Sequence, residues 1–551
     1  MKKFYGWLGA AALLTLAACT KDIEGSKDLG ADGDLYMTMT ITQQLSTRTS
    51  TPHQGEEVGK DYENKISSGI VVIASENSSK NDYIVTAVGK IATESISATS
   101  PYKASFQTAR KTLKDDLGEA PEKTYYLFVI ANPTEQITTA YTGKVAEKES
   151  VQSTFTLGQD DATYWTNDKF LMTNAEIAPV TIKASDLAEG QHTTQATALN
   201  LGTVKVQRAM SRFDIATGAD YTKFEVNNAK APTIKKVEIT FEGVALGNMA
   251  KDANLFKTAG MNPNTYSKDG SAGWGYFVSE TVDNYVFSPS QDNWLLPLFE
   301  TPVSSGRLTG SQKNLSTLSF DKISTLAIPE NADNDFTHPD KTPYGGAEEY
   351  YIWRYCMENT NYDKDNQYYG NSTSIVFHAT MKMYGNEDSP LELSGPLYAF
   401  NNTIIGTLEN LKSYVNNTDP QDGIYGAVKD AYNTALEADG GETVTDASLV
   451  ANGFTVYRPD NSGVYHCYYI YRNRHNDNNN PGLMGPTEFA TVRNNVYKLK
   501  VTKLLSLGKP GDPGDDPDPD DPGTPDESDE FWGEIKCEIL PWEVRMNNIE
   551  F

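Results

Sequence analysis

The chain has 551 residues, 38% of them hydrophobic, with 31 tyrosines and 20 phenylalanines and a net charge of −27. That length and apolar content can fill two or three cores, which excludes a disordered chain. The acidic surface excludes nucleic acid, whose phosphates it would repel, and suits a particle in an aqueous exterior.

Met1-Lys2-Lys3 and the apolar run 4–16 have the form of a secretory signal, followed by Leu16-Ala17-Ala18-Cys19, the form of a bacterial lipobox. Cys19 is then the lipidation site, and residues 1–19 are the lipoprotein signal peptide. The apolar run falls short of the roughly 20 residues a bilayer span needs. Residues 20–48 form a leader: a Gly-rich polar stretch, then a strand over 35–45 in which Leu35, Met37, Met39 and Ile41 share one face and threonines the other. A small polar run follows, holding Arg48, the first arginine of the chain, beside Thr49. An exposed arginine there is a target for an arginine-specific protease.

Strand signals recur at 66–74, 83–92, 125–131, 169–172 and 201–215, with a helical reading only over 101–117. A break near 218–231 separates an N-terminal domain, 49–217, from a C-terminal domain, 218–507. The second half has strands at 234–241, 374–383, 463–472 and 495–505, helices at 404–414 and 424–437, and long polar insertions. The expected fold is mainly β: two transthyretin-like or Greek-key β-sandwich domains with a few short helices and a tethered C-terminal donor strand.

Residues 508–530 are a Pro/Asp/Gly tether without an apolar side chain to fold around. In the last segment, 531–551, Ile535, Cys537 and Ile539 alternate with charges, and Trp542, Val544 and Met546 resume the beat. This is an amphipathic strand, and it needs a groove; the simplest groove belongs to another copy of the chain. Six buried side chains at roughly 1.5 to 3 kcal/mol each give a gross gain on the order of 10 kcal/mol. A contact in which every copy both gives and receives a strand does not close, and it builds a filament.

No catalytic constellation, cofactor motif or metal signature is visible, so the chain reads as a non-enzyme with no cofactor and no metal site. The histidines His53, His192, His338, His378, His466 and His475 are scattered singly, each a surface or core residue. The acidic and amide runs 363–366 and 476–480 lack the spacing of a calcium loop. Cys356, Cys467 and Cys537 read as buried apolar residues rather than a disulfide framework.

In order and spacing, the lipobox, the leader strand with Arg48, the run 125–132, the run 170–173, the stretch 206–212, the stretch 492–497, the tether and Leu540-Pro541-Trp542 resemble the type V fimbrial subunits of Bacteroidales-type bacteria. The likeness is strongest to the shaft pilins of the short, minor Mfa-type fimbriae. It implies a structural pilin in cell adhesion, exported as an outer-membrane lipoprotein through Cys19 and cut between Arg48 and Thr49 by an arginine-specific protease. The C-terminal strand of a neighbour then fills the vacated groove in an extracellular fimbrium. The implied partners are other copies, other fimbrial subunits, the protease, the outer membrane through lipid, and host or bacterial surface ligands. Two other readings are an accessory, tip or anchor fimbrial component, and a glycan-binding surface lipoprotein using the aromatics of 350–355 or 465–471 as a stacking platform.

Overall fold

The computed structural model describes residues 33–43, 59–77, 82–142, 144–145, 149–152, 155–158, 162–166, 168–228, 233–260, 274–276, 285–286, 294–302, 308–326, 350–360, 368–386, 389–417, 423–475, 488–520 and 543–550. The chain is mainly β, as its alternating segments predict.

The first sheet has eight strands. It contains β1 (Asp34–Gln43), β2 (Gly69–Asn77), β3 (Asp82–Ile91), β4 (Tyr102–Ala109), β5 (Glu122–Ala131), β6 (Met172–Asn174), β7 (Ala178–Lys183) and β8 (Leu199–Arg208). They run in the order β3-β2-β5-β6-β8-β1-β4, with β7 paired to β5. The helical reading of 101–117 is corrected in its first half. Tyr102, Ala104 and Thr108 are buried while Lys103 and Gln107 are exposed, a two-residue beat that makes a strand; the helix α1 covers only Arg110–Leu117.

Three further sheets follow. One runs β12-β9-β18-β19, formed by β9 (Ser211–Ala216), β12 (Tyr350–Cys356), β18 (Asn495–Lys503) and the terminal β19 (Glu543–Glu550). Another runs β10-β11-β13-β17, from β10 (Lys223–Asn227), β11 (Lys236–Gly247), β13 (Ser374–Tyr384) and β17 (Tyr465–Arg472). The third, a small sheet, joins β14 (Leu397–Phe400), β15 (Thr403–Gly406) and β16 (Phe454–Tyr457) and packs with helices α2 (Leu408–Val415), α3 (Tyr425–Ala438) and α4 (Asp446–Ala451) around a core of its own. Residues 404–406, read as helix from sequence, are strand, and Thr407 caps α2 by accepting from the Asn410 amide.

The buried apolar side chains fall into two main clusters. One takes in β1 to β8 and ends at Ala209 and Met210, with Leu255, Phe256, Ile352, Tyr355 and Val496 reaching into it. The other begins at Phe213 and Ile215 and is filled by β11, β12, β13, β17 and β18.

Candidate strand-exchange site

Leader strand β1 lies inside the first sheet, not on its rim. It runs antiparallel to β4, with Met37 opposite Phe106 and Ile41 opposite Tyr102, and parallel to β8, with Ile41 opposite Val204. Leu35, Met37 and Ile41 are fully buried and Met39 nearly so, whereas the residues between them are half-buried. Four such side chains contribute on the order of 6 to 12 kcal/mol of gross apolar burial. Withdrawing the strand would leave two unpaired edges, on β4 and β8, facing each other across an apolar trough.

The chain just beyond the leader is fastened independently. Asn132, at φ 54 after β5, accepts from the Ser67 amide at 2.8 Å and donates to the Lys65 carbonyl at 2.7 Å and the Phe170 carbonyl at 2.9 Å. The Glu63 carboxylate accepts two hydrogen bonds from Arg212 Nη1, at 3.1 and 3.0 Å, and one from the Tyr355 hydroxyl at 2.6 Å. Arg212 also forks onto Asp214 at 2.8 Å through each of two nitrogens. Glu63, Arg212 and Asp214 are all fully buried. Burial, with Glu63 beside it, holds the Tyr355 hydroxyl well above its usual range, so it stays protonated and donates. Residues 60–67 thus have their own anchors, separate from β1.

The terminal strand takes a different place. β19 pairs parallel with β18, Val544 opposite Val496 and Met546 opposite Lys498, and closes that edge of its own sheet. The sequence reading gave leader and tail one shared groove; this is corrected, because the two strands occupy different sheets of the same molecule. The physical reason is that β18 offers an edge of its own, which a strand of the same chain can cover. Both strands run parallel to one neighbour, β1 to β8 and β19 to β18.

The tether also departs from expectation. Residues 508–520 lie against the C-terminal body instead of standing free. Lys509 and Tyr468 exchange both backbone hydrogen bonds, at 2.9 and 2.8 Å, and the Gly508 carbonyl accepts the Tyr457 hydroxyl at 2.7 Å. Composition hid this because the contacts are made by carboxylates, not apolar groups: Arg458 grips Asp515 at 2.9 and 2.8 Å, and Arg472 reaches Asp520 at 3.0 Å. Burial alone would raise the Asp520 carboxyl, but Lys509 and Arg472 outweigh it and hold the group below the usual carboxylate range.

Cys19, Arg48, Thr49, Ile535, Cys537, Ile539 and Trp542 lie outside the described residues, as do His53, His338 and the runs 363–366 and 476–480. Among the described residues, no group of three His, Cys, Asp or Glu is placed to hold a metal, and no helix is long and apolar enough to cross a membrane. Cys356 and Cys467 are buried free thiols, each pushed up to about 12 by that burial. The stacking platform is corrected: Tyr350, Tyr351, Trp353, Tyr355, Tyr465, Tyr468, Tyr469 and Tyr471 are all buried and pack the cores. Histidine scatter also misled in one case, since neighbouring strands bring His378 Nε2 within 2.9 Å of His466 Nδ1.

Residues 463–548, which span β17, β18, the docked segment and most of β19, match the family described as major fimbrial subunit protein type IV, fimbrillin, C-terminal. The chain is a fimbrial subunit with a fimbrillin C-terminal region. It is similar to the solved tip fimbrial protein Mfa3 from Porphyromonas gingivalis, in a form with a C-terminal truncation, at 9% identity over 65% of this chain and 81% of that one, with a TM-score of 0.24. It is also similar to a fimbrial assembly protein from Parabacteroides distasonis, at 9% identity over 45% of this chain and 78% of that one, with a TM-score of 0.23. No curated protein matches the sequence.

Proposed function

We propose that this fimbrial subunit is a structural shaft pilin of the Mfa type, polymerised by strand exchange after its leader is removed. It reaches the outer membrane as a lipoprotein acylated on Cys19, and an arginine-specific protease cuts between Arg48 and Thr49. The cut releases β1, and residues 531–551 of the next copy enter the trough between β4 and β8. Residues 49–217 and 218–507 act as the two structural domains, and the filament extends into the medium to support adhesion.

The observation that carries this reading is the position of β1: a central strand with a fully buried apolar face, joined to the anchored residues 60–67 only through the segment that contains Arg48. The parallel pairing of β19 with β18 adds support, because a tail that pairs parallel on one side can meet β8 as β1 does. Exchange requires β19 to leave its own sheet and the leader to leave its trough, and the first cannot be productive before the second.

The test is Arg48→Ala. Expected is a folded, lipid-bearing monomer that forms no high-mass ladder on unboiled gels, beside a wild-type filament whose N-terminus is Thr49. Normal ladders from the variant would overturn the processing step. A blocked, acylated Cys19 in wild-type filaments would make the chain an anchor instead.

A further inference from the structure

Within residues 508–530, read from sequence as one flexible tether, the part up to Asp520 is held by contacts of a kind that anchor rather than brush. The Lys509 and Tyr468 backbones form a two-bond antiparallel bridge, and the Leu315 amide donates to the Gly511 carbonyl at 2.7 Å. At Gly508 a Cβ would come within 2.8 Å of the Tyr468 carbonyl oxygen, so the backbone itself is pressed onto β17. Arg458 bridges Asp515 and Asp446, each at 2.8 Å. Lys509 Nζ meets Asp516 at 3.2 Å and Asp520 at 3.0 Å. Arg472, 2% exposed, pairs with Asp520, 13% exposed, and the Asp520 amide donates to Gln312 at 3.1 Å. Buried charge pairs satisfied on several sides are costly to break, because separation leaves each partner uncompensated.

We propose that Gly508–Asp520 is a root clamp: it stays on its own domain while the terminal strand moves to a neighbour, so the exchanged segment begins after Asp520. This rests on the strand-exchange reading above. The consequence is a fixed reach. From the end of β18 at Lys503 to Glu543 there are 39 intervening residues (504–542), but from Asp520 only 22 (521–542). At about 3.3 Å per extended residue the limit falls from roughly 130 Å to roughly 75 Å. Shortening the free tether also raises the effective concentration of the strand at an acceptor within range, by about twofold if it scales as the −3/2 power of length. The main gain is geometric: an acceptor beyond the shorter radius cannot be reached, which biases the strand toward the adjoining subunit.

Hydrogen exchange on wild-type protein, as monomer and as assembled filament, tests the clamp. The amides of Leu315, Tyr468, Lys509 and Asp520 should keep their protection in the filament, within about twofold of the monomer rates, while those of 543–550 change partners. Loss of protection at these four amides on assembly would overturn the clamp. A second variant gives an independent answer. Residues 468 and 509 face each other as a mutually hydrogen-bonded pair, whose Cα separation of about 5.5 Å a disulfide can span. Tyr468→Cys with Lys509→Cys, in a Cys537→Ser background, should form ladders equally well oxidised and reduced. An oxidised form that stays monomeric until reduced would show that the segment must peel away. Failure of Arg48-trimmed wild type to form ladders would refute strand exchange itself, whatever the state of the lock.

Discussion

His378 and His466 sit on the adjoining strands β13 and β17, and only one of the two facing nitrogens can carry a proton in their 2.9 Å hydrogen bond. Phe320 and Tyr468 pack against His378, and Asp460 lies 3.2 Å from the far nitrogen of His466. Burial first, then the neighbouring His466, pushes His378 down to about 4 from an ordinary value near 6.5. The unfolded chain therefore takes up this proton before the folded one does. Stability is full above about pH 6.5 and falls as pH drops toward 4, because protonation favours unfolding across that window. His378→Gln keeps a hydrogen-bonding group but removes the titration. The drop in urea midpoint between pH 7 and pH 5 should be smaller in the variant; an unchanged drop would assign the pH dependence to other groups.

At the scale of elements, the leader strand was legible because its environment is two-sided: every second residue meets the core, so the apolar beat is printed in the sequence. Ile41→Asp places a charge in that core and should cost at least about 3 kcal/mol. Thr40→Asp, on the half-buried face, should cost about 1 kcal/mol or less. Denaturation midpoints of the uncut chain read the difference, and equal losses would contradict the facing of β1. What composition could not reveal were contacts between residues far apart. Asp515 and Asp520 looked like solvated tether, and their partners Arg458 and Arg472 carry no local sign of the pairing. The 101–117 error had another source: a strand runs straight into α1, so a short two-residue beat was absorbed into the helical one that follows. The trough that β1 fills could be inferred, but its walls, β4 and β8, could not, since they are separated by nearly a hundred residues.

The whole molecule is two apolar cores meeting at a buried ionic junction. Glu63 comes from the chain just beyond the leader, Arg212 and Asp214 from β9, and Tyr355 from β12, so one carboxylate ties the entry of the first sheet to strands of the second. A second junction repeats the device, with Arg493 forking onto Glu358 at 2.7 Å through two nitrogens and donating to the Leu255 carbonyl at 2.9 Å. Buried pairs of this kind add little net stability compared with apolar packing, but removing one partner leaves the other charged and desolvated. Their placement gives them a mechanical sense in a filament subunit: they hold the two cores in register when one strand is withdrawn at one end and another is moved at the other. Glu63→Ala should lower stability by about 3 kcal/mol and weaken the coupling between the cores. Hydrogen exchange in increasing denaturant should then show β2 opening before β13, where the wild type opens both together. A variant in which β2 and β13 still open in one step, at an unshifted midpoint, would show that apolar contacts alone join the two halves.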